Sequence, residues 1–455
     1  MAQDRDELNR RRQEREARKK QRLAEQRKLR MKLILAGAVL LACAVGIFVI
    51  ARSNASSAPE ELQRPTVQQT EAPVQEATEP TSRNHRESVK VIHIRAAGDL
   101  NVTDKVILAG AGGAGYNFIN CFREVMPILS EADLTMLNFE GNLCGEPYGT
   151  ATTSAPNQIA DALRAAGVDL VQTANSASVN NGLIGLTATL NAFRNAGVEP
   201  VGTFASTEEF RRTKGYTICE VQGIRIAVVA FTKGIGSMGL PAGSEDCVNL
   251  LYTDYATTYR EIDTEGIKDI MKAVASEKPD ITIAMLHWGS EHNDVISDSQ
   301  KRLVSMLQKQ GVDVILGTHS HRVQEIDFNE ETGTLVAYSL GDFFGDGKDA
   351  GTNYSIILDV EITQDLDAGT TKVTGFSYFP IYTLQEEDCD GQRRVVLIEN
   401  SMRAYQENFI DRITASAYAG MANALERIEA RVDPEAWAAK QKAQQEAAAN
   451  ATEGK

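Results

Sequence analysis

Apolar and polar residues alternate from Val89 onward, and the run VKVIHIRAAGD closes on Gly98-Asp99, which predicts a strand feeding a tight turn. ADLTMLNFEG (132–141) predicts a second strand that ends in Asn138-Phe139-Glu140. A helical period follows around Gln158–Ala166, then a strand over Val168–Thr173 closing on Ala174-Asn175-Ser176-Ala177. Leu186–Ala196 reads as a helix, Val198–Val201 as a short strand, and Tyr216–Ala230 as a hairpin turning at Gln222-Gly223. Helices over Glu261–Ala275 and Asp298–Lys309 precede two continuous apolar runs, Ile281–Leu286 and Val312–Leu316, that read as buried strands. Tyr354–Thr363, Thr371–Pro380 and Arg394–Ile398 supply further strands. Strands alternating with helices, then antiparallel strands, predict a layered α/β sandwich with mixed sheets. Beyond Ser401 the pattern turns helical and Ala/Glu-rich, with Pro434 opening a last helix that runs into a polar tail, an appended cover with a disordered end.

The first 88 residues obey different rules. Asp4–Lys32 is a mixed-charge helical run, and residues 1–32 hold 13 Lys/Arg against 6 Asp/Glu. Leu33–Ala51 is 19 residues without a charge, long enough to cross a bilayer as a helix. The basic block before it predicts a cytoplasmic N-terminus in contact with membrane lipid, and an extracellular main domain. Residues 52–88 are rich in Ser, Pro, Thr, Glu and Gln and read as a mobile linker. The expected organisation is therefore a basic segment (1–32), a single membrane span (33–51), a linker (52–88), a folded domain (89–400) and a helical extension (401–455).

Composition sharpens this picture in two ways. The formal net charge is −15, and the basic N-terminal segment hides a still more acidic remainder, which argues against nucleic-acid binding. An anionic polymer would then need a local basic or metal-lined site. Of six cysteines, Cys43 falls in the apolar run; Cys121, Cys144, Cys219, Cys247 and Cys389 are scattered without a C-x-x-C. In an oxidising compartment Cys121–Cys144 or Cys219–Cys247 can pair, with at least one thiol left over.

Candidate chemistry concentrates between Ile281 and Phe344. Four of the six histidines lie there: His287, His292, His319 and His321. A histidine that ends a strand stands at the carboxyl edge of a sheet, where open α/β folds place ligands. His319 and His321 are two apart; they share a face in an extended segment and can diverge onto two metal ions in a tight loop. His93, inside a strand, reads as a packed side chain. AGAGGAG at Ala109–Gly115 lacks a following G-K-[ST] and reads as a flexible loop near the site mouth. Four strand-to-loop turns thus carry Asp99, Asn138 with Glu140, His287, and His319 with His321. Two carboxylates and three imidazoles form a shell for one or two divalent ions, which can generate hydroxide and clamp a phosphoryl oxygen.

The order Gly98-Asp99, Asn138-x-Glu140, His287-Trp288-Gly289-x-Glu291, Gly317-x-His319-x-His321-x-x-Gln324 and Tyr338-Ser339-Leu340-Gly341 resembles the CapA family of poly-γ-glutamate capsule proteins, itself similar to calcineurin-like metallophosphoesterases. The resemblance covers about Val89 to Ile398. It implies a four-layer αββα sandwich of the metallophosphoesterase type, Mn, Zn or Fe as cofactor, and membrane-anchored work in capsule synthesis or export. The implied partners are an anionic capsular polymer and membrane capsule-synthesis proteins. By the same resemblance Asp99, Glu140 and His321 hold one ion, and Glu140, His287 and His319 the second. Asn175 and His287 take the catalytic roles, with Asn138, Trp288, Glu291, Gln324 and Asp342 on the substrate side. The chain departs from the family's A-N-N-H-x-x-D-x-G-x-x-G, since Ser176 stands where a ligand Asn is expected and Ala177 where a His is expected. Asp342 likewise replaces the Asn of Y-S-L-G-N. A positioned acid–base residue contributes roughly 10²–10⁴ in rate, so its loss at position 177 implies a slow hydrolase or a non-catalytic polymer binder or scaffold. An extracellular phosphodiesterase unrelated to capsule is the remaining alternative.

Overall fold

The computed structural model describes residues 88–453, apart from residues 114, 237–238, 390 and 409–412. The apolar run Leu33–Ala51, the basic segment and the linker up to residue 87 lie outside the described residues. Among the described residues no helix is long and apolar enough to cross a membrane.

The strands in chain order are β1 (Val89–Asn101), the short pair β2 (Ala111–Gly112) and β3 (Gly115–Tyr116), β4 (Leu134–Glu140), β5 (Leu170–Gln172) and β6 (Glu199–Val201). Then come β7 (Tyr216–Val221), β8 (Ile224–Thr232), β9 (Ile281–His287), β10 (Val314–Thr318), β11 (Ile326–Asn329) and β12 (Thr334–Ala337). The last are β13 (Asp342–Phe344), β14 (Tyr354–Asp365), β15 (Thr370–Leu384) and β16 (Arg394–Leu397). The first sheet has eight strands in the order β16-β15-β14-β1-β4-β5-β6, with β13 beside β1. The second has six, in the order β11-β12-β10-β9-β8-β7. The first sheet is parallel from β1 through β4 and β5 to its edge strand β6 and antiparallel on the β14–β16 side; the second is parallel through β8, β9, β10 and β12 and antiparallel at both edges.

Burial follows from this arrangement. Alternate residues of both sheets face each other, among them Ile92, Ile94 and Met136 from the first and Ile226, Val228, Ile283 and Val314 from the second. Each such fully buried aliphatic side chain contributes about 1.5–3 kcal/mol. The outer face of the first sheet packs on helix Gln158–Ala165 and on Phe193 of helix Gly182–Ala196. That of the second packs on helices Thr264–Ser276 and Asp298–Lys309. Three apolar layers between four layers of structure make the mixed α/β sandwich. Helix Ala415–Val432, part of the expected appended cover, sends Ala417, Met421, Ala424, Ile428 and Val432 into the same inner core, against β14 and β15.

Local sequence accounts for the elements. Gln222 (φ 50°) and Gly223 (φ 84°) are both left-handed, as a two-residue hairpin between β7 and β8 requires. Helix Asp298–Lys309 opens on a reciprocal cap, Ser297 accepting from the Gln300 amide while Gln300 accepts from the Ser297 amide. Arg394–Leu397 ends a residue short of the expected strand because helix Ile398–Gln406 starts there. In the stretch expected as a flexible loop, Ala109 and Gly110 finish helix Asp104–Gly110, and Ala111–Gly112 pairs with Gly115–Tyr116. The five described cysteines are all free, so neither expected pairing forms. The Cys121 thiol turns to the Ala109 carbonyl and Cys144 to the Ser154 hydroxyl.

One device recurs at the amino ends of four parallel strands. Asp133, Asp169, Asp280 and Asp313 immediately precede β4, β5, β9 and β10. Each accepts, through its carboxylate, the backbone N–H of a residue on the neighbouring strand: His93 (2.8 Å), Thr135 (3.0 Å), Arg225 (2.7 Å) and Thr282 (2.8 Å) respectively. Each also donates its own N–H to the carbonyl of that same residue. Such a two-point clasp fixes strand register where the regular ladder has run out of partners.

Candidate metal centre

Away from the clasps, residues of neighbouring strands line up at one edge of each sheet, toward the carboxyl ends of β1, β4, β5, β8, β9 and β10 and at the amino end of β13. On the first sheet Asp342, Asp99, Asn138 and Gln172 stand abreast on β13, β1, β4 and β5. On the second, Thr232, His287 and Thr318 stand abreast on β8, β9 and β10. Gly98 allows the crossing that brings β13 in: a Cβ there would lie 1.8 Å from the Gly341 carbonyl oxygen, which accepts the Asp99 amide at 2.9 Å. Beyond β10 the chain turns sharply, with His319 at φ 86° and His321 at φ 58°. Non-glycine residues held in that region cluster at functional sites. The turn splits the pair, so that the two rings lie 6.2 Å apart.

The structure brings Asp99, Glu140, His287, His319 and His321 together. Ligand atoms of Glu140, His287 and His319 all lie within 4.8 Å of one another, as do those of Asp99, Glu140 and His321, and those of Glu291, His319 and His321. His287 Nε2 is 3.6 Å from Glu140 Oε1, and the His287 and His319 rings are 4.4 Å apart. Asp99 is fully buried and fixed by two donors, Asn138 Nδ2 at 2.6 Å and the His319 amide at 3.0 Å. His287 Nδ1 lies 3.2 Å from the Thr318 hydroxyl, which leaves Nε2 directed at Glu140.

Three buried atoms in this group have no hydrogen-bond partner: Glu140 Oε2, His287 Nε2 and His319 Nδ1. Buried polar atoms are rarely left so. A carboxylate oxygen and two imidazole nitrogens facing one another are a donor set for a divalent cation such as Zn, Mn or Fe. The protonation states fit. Burial, aided by neighbouring cationic groups, holds His287 and His319 well below the usual histidine value, so both rings are neutral ligands at pH 7. Burial raises Glu140, with His321 opposing. His321 goes the other way: burial opposes its charge, but Asp342, 2.8 Å from Nδ1, and Asp99, 3.5 Å away, outweigh it and raise the group.

The remaining expected residues take different places. Asn175 and Asn138 are fully buried in a relay: Asn175 Nδ2 donates to Asn138 Oδ1 (3.0 Å) and to the Phe139 carbonyl (2.7 Å), while its Oδ1 accepts the Ala177 amide (3.1 Å). Both amides are thus occupied in holding Asp99 and the Ser176 loop. Trp288 is buried beneath Gly317, its Nε1 donating to the Tyr338 carbonyl at 2.9 Å, so it supports the centre from below. Gln324 donates to the Asn293 carbonyl and lines a separate cleft of about 570 Å³ beside Asp294 and Arg431. Glu291 is exposed on the rim, and Asp342 lines the centre itself.

Sequence reasoning passed over Asn101 and Lys233. Asn101 Nδ2 donates to Asp342 Oδ1 at 2.8 Å, two residues beyond Asp99 and therefore on its face of β1. That spacing was the available signal. Lys233 follows β8 and donates to the Gly289 carbonyl at 2.7 Å. Ser176 occupies the departure from the expected third motif, and its hydroxyl donates to Glu140 Oε1. Ala177 is buried and presents a methyl group to the cleft.

Comparison with known proteins comes from three directions. The family described as Bacterial capsule synthesis protein PGA_cap matches residues 93–346. Capsule biosynthesis protein CapA of Bacillus anthracis is 27% identical over 234 residues, covering 50% of this chain and 53% of that protein. PGA biosynthesis protein CapA of Bacillus subtilis (strain 168) is 26% identical over 230 residues, covering 50% and 56%. The chain thus spans about half the length of these curated relatives. Among solved structures, calcineurin-like phosphoesterase YfkN from Bacillus subtilis aligns at 16% identity and TM-score 0.39 over 74% of this chain and 99% of that one. The 5'-nucleotidase from Candida albicans aligns at 14% and TM-score 0.38, over 74% and 56%. With more than half of its residues matched, and with the carboxylate–imidazole centre inside the matched stretch, the chain belongs to the bacterial capsule synthesis protein family PGA_cap.

Proposed function

We propose that this protein is a membrane-anchored, extracytoplasmic member of its family that acts in the synthesis or export of an anionic, poly-γ-glutamate-like capsular polymer through a divalent-metal centre. The observation that carries the metal reading is the set of buried, partnerless atoms on Glu140, His287 and His319, a step from Asp99 and His321. The uncharged run Leu33–Ala51 behind a basic segment supports the anchor.

Glu140, His287 and His319 hold one ion in this reading, and Asp99, Glu140 and His321 a second. Bound there, a divalent ion supplies a Lewis acid and a water of lowered pKa. The chain's own residues do the rest. Asn138 and the His319 amide fix both oxygens of Asp99, and Thr318 keeps His287 Nε2 turned inward. Ser176 orients Glu140 by donating to Oε1, which leaves Oε2 for a cation. Asp342 fixes the ring plane of His321. Nothing at position 177 can pass a proton to a leaving group, so turnover is slow.

Elemental analysis of the full chain tests this reading. Wild type retains Mn, Zn or Fe after dialysis and the His319→Ala/His321→Ala variant does not; background metal in both refutes it. Ala177 favours one other reading, a polymer-binding scaffold without turnover. Under it Ser176→Asn/Ala177→His raises phosphodiesterase activity little, and robust hydrolysis of generic phosphoesters by the unaltered protein rejects it.

A further inference from the structure

Two cavities are lined by residues of the centre, one by Glu140 and His321 and the other by His319, and Ser176 belongs to the lining of both. They differ in charge. One, of about 240 Å³, is walled by Glu140, Asp342, Asp346 and Asp349 together with His292 and His321, and no described lysine or arginine lines it. The other, of about 280 Å³, is walled by Ser176, Lys233, Tyr259, Ser290, Glu291 and His319. An anion is repelled from the first and meets an ammonium group in the second.

We propose that Lys233 is the anion-recognition residue of this centre, seating an oxyanion of the substrate, a carboxylate or phosphoryl group, in the cavity on the Tyr259 side against His319. The proposal deepens the metal-centre reading above and rests on it for the chemistry that follows binding. Position comes first. The Lys233 amide donates to the His287 carbonyl at 2.8 Å, so its backbone is tied to a strand that delivers an imidazole. Its side chain is held too: Nζ donates to the Gly289 carbonyl at 2.7 Å and sits 4.8 Å from the centre of the Tyr259 ring. An ammonium group has three donors, so the bond to Gly289 leaves capacity for a ligand. The aromatic face beneath it limits its hydration and keeps the head in place. Burial disfavours the lone charge, with Glu291 opposing, and an arriving oxyanion supplies a second counter-charge.

The test is calorimetric titration of the full-length chain, metal-free and Mn-loaded, with inorganic phosphate and with γ-glutamylglutamate. Three proteins are compared: wild type, Lys233→Gln, which keeps a donor for the Gly289 carbonyl but no charge, and Lys233→Arg, which keeps the charge. A charge-assisted hydrogen bond lost in this way weakens the bound probe about tenfold or more. The expected result is that loss in Lys233→Gln, an unchanged melting temperature and metal content, and affinity within about threefold of wild type in Lys233→Arg. Whichever probe shows the dependence identifies the oxyanion. Equal affinity in wild type and Lys233→Gln overturns the proposal, as does failure of both probes to bind wild type. An equal loss in Lys233→Arg and Lys233→Gln also overturns it, because the residue would then only brace the Gly289 turn. Lys233-dependent binding by a chain that takes up no Mn when Mn is offered refutes the metal centre and leaves this inference standing; Mn taken up with no Lys233 dependence does the reverse.

Discussion

The two sheets bring opposite chemistry to one place. The first sheet delivers oxygen: Asp99, Asn138, Glu140 and Asp342, all at or near the ends of regular strands. The second delivers nitrogen: Lys233, His287, and the His319–His321 turn with its left-handed backbone. The buried groupings, Glu140 with His287 and His319 and Asp99 with Glu140 and His321, need both sheets; Glu291 with His319 and His321, which the second sheet supplies alone, includes an exposed carboxylate. The centre exists only where the sandwich is packed, so its integrity reports on the apposition of the sheets as well as on the ligands.

The most damaging way to break this partnership is to remove one donor from each side. Asp99→Ala and His287→Ala should each weaken Mn binding by more than about 100-fold, since even groups that merely orient ligands account for 10–100-fold. The double variant should be little worse than either alone, as residues of one site are not additive; calorimetry decides. Next in size are the glycines at which each sheet is crossed. A Cβ on Gly98 would lie 1.8 Å from the Gly341 oxygen, and one on Gly317 2.0 Å from the Tyr338 oxygen. Gly98→Ala and Gly317→Ala should each lower stability by about 2–3 kcal/mol in urea unfolding, because backbone cannot yield as a side chain can.

A smaller contrast lies in the clasps. Asp169 in the first sheet has Arg164 at 2.6 Å, whereas burial raises Asp313 in the second to about 6 from 3.8. The native state therefore binds more protons than the unfolded chain between about pH 4 and 6, and stability falls as pH rises through that window. Asp313→Asn should match wild type below pH 4 and gain about 1–2 kcal/mol by pH 7, seen in melting curves across pH. Asp169→Asn should lose about 0.5 kcal/mol, because the Arg164 pair is half exposed. Smallest of all, Ile184→Ser at an 86% exposed helix position should change stability by less than about 0.5 kcal/mol.

Much of this was legible in sequence where periodicity and chemistry coincided. Glu140 and His287 end strands whose alternation or apolar run is plain, and the hairpin at Gln222-Gly223 declares its turn; Asp99 is expected at a turn, but β1 continues through it to Asn101. What stayed hidden depended on neighbours distant in sequence. Trp288 looks like a substrate platform until Gly317 and the Tyr338 carbonyl are seen to enclose it. Lys233 drew no reading from the sequence, because Tyr259 and Gly289, which hold its side chain, are distant along the chain. Asn138 reads as a substrate-side amide and Asn175 as a catalytic one, and their hydrogen bonds go to each other, to Asp99 and to the backbone of Phe139 and Ala177. The strands β11 and β12 are four residues each, too short to show a period of their own.

The four aspartate clasps hold the strands at the end remote from the chemistry. From Asp280 to His287 is seven residues, roughly 23 Å of extended chain at about 3.3 Å each. A shift of one residue there would turn every following side chain to the opposite face. The clasps thus serve as a datum line, and under the proposed metal reading an inherited change at one of them would surface as faulty metal stoichiometry in a protein that still looks folded.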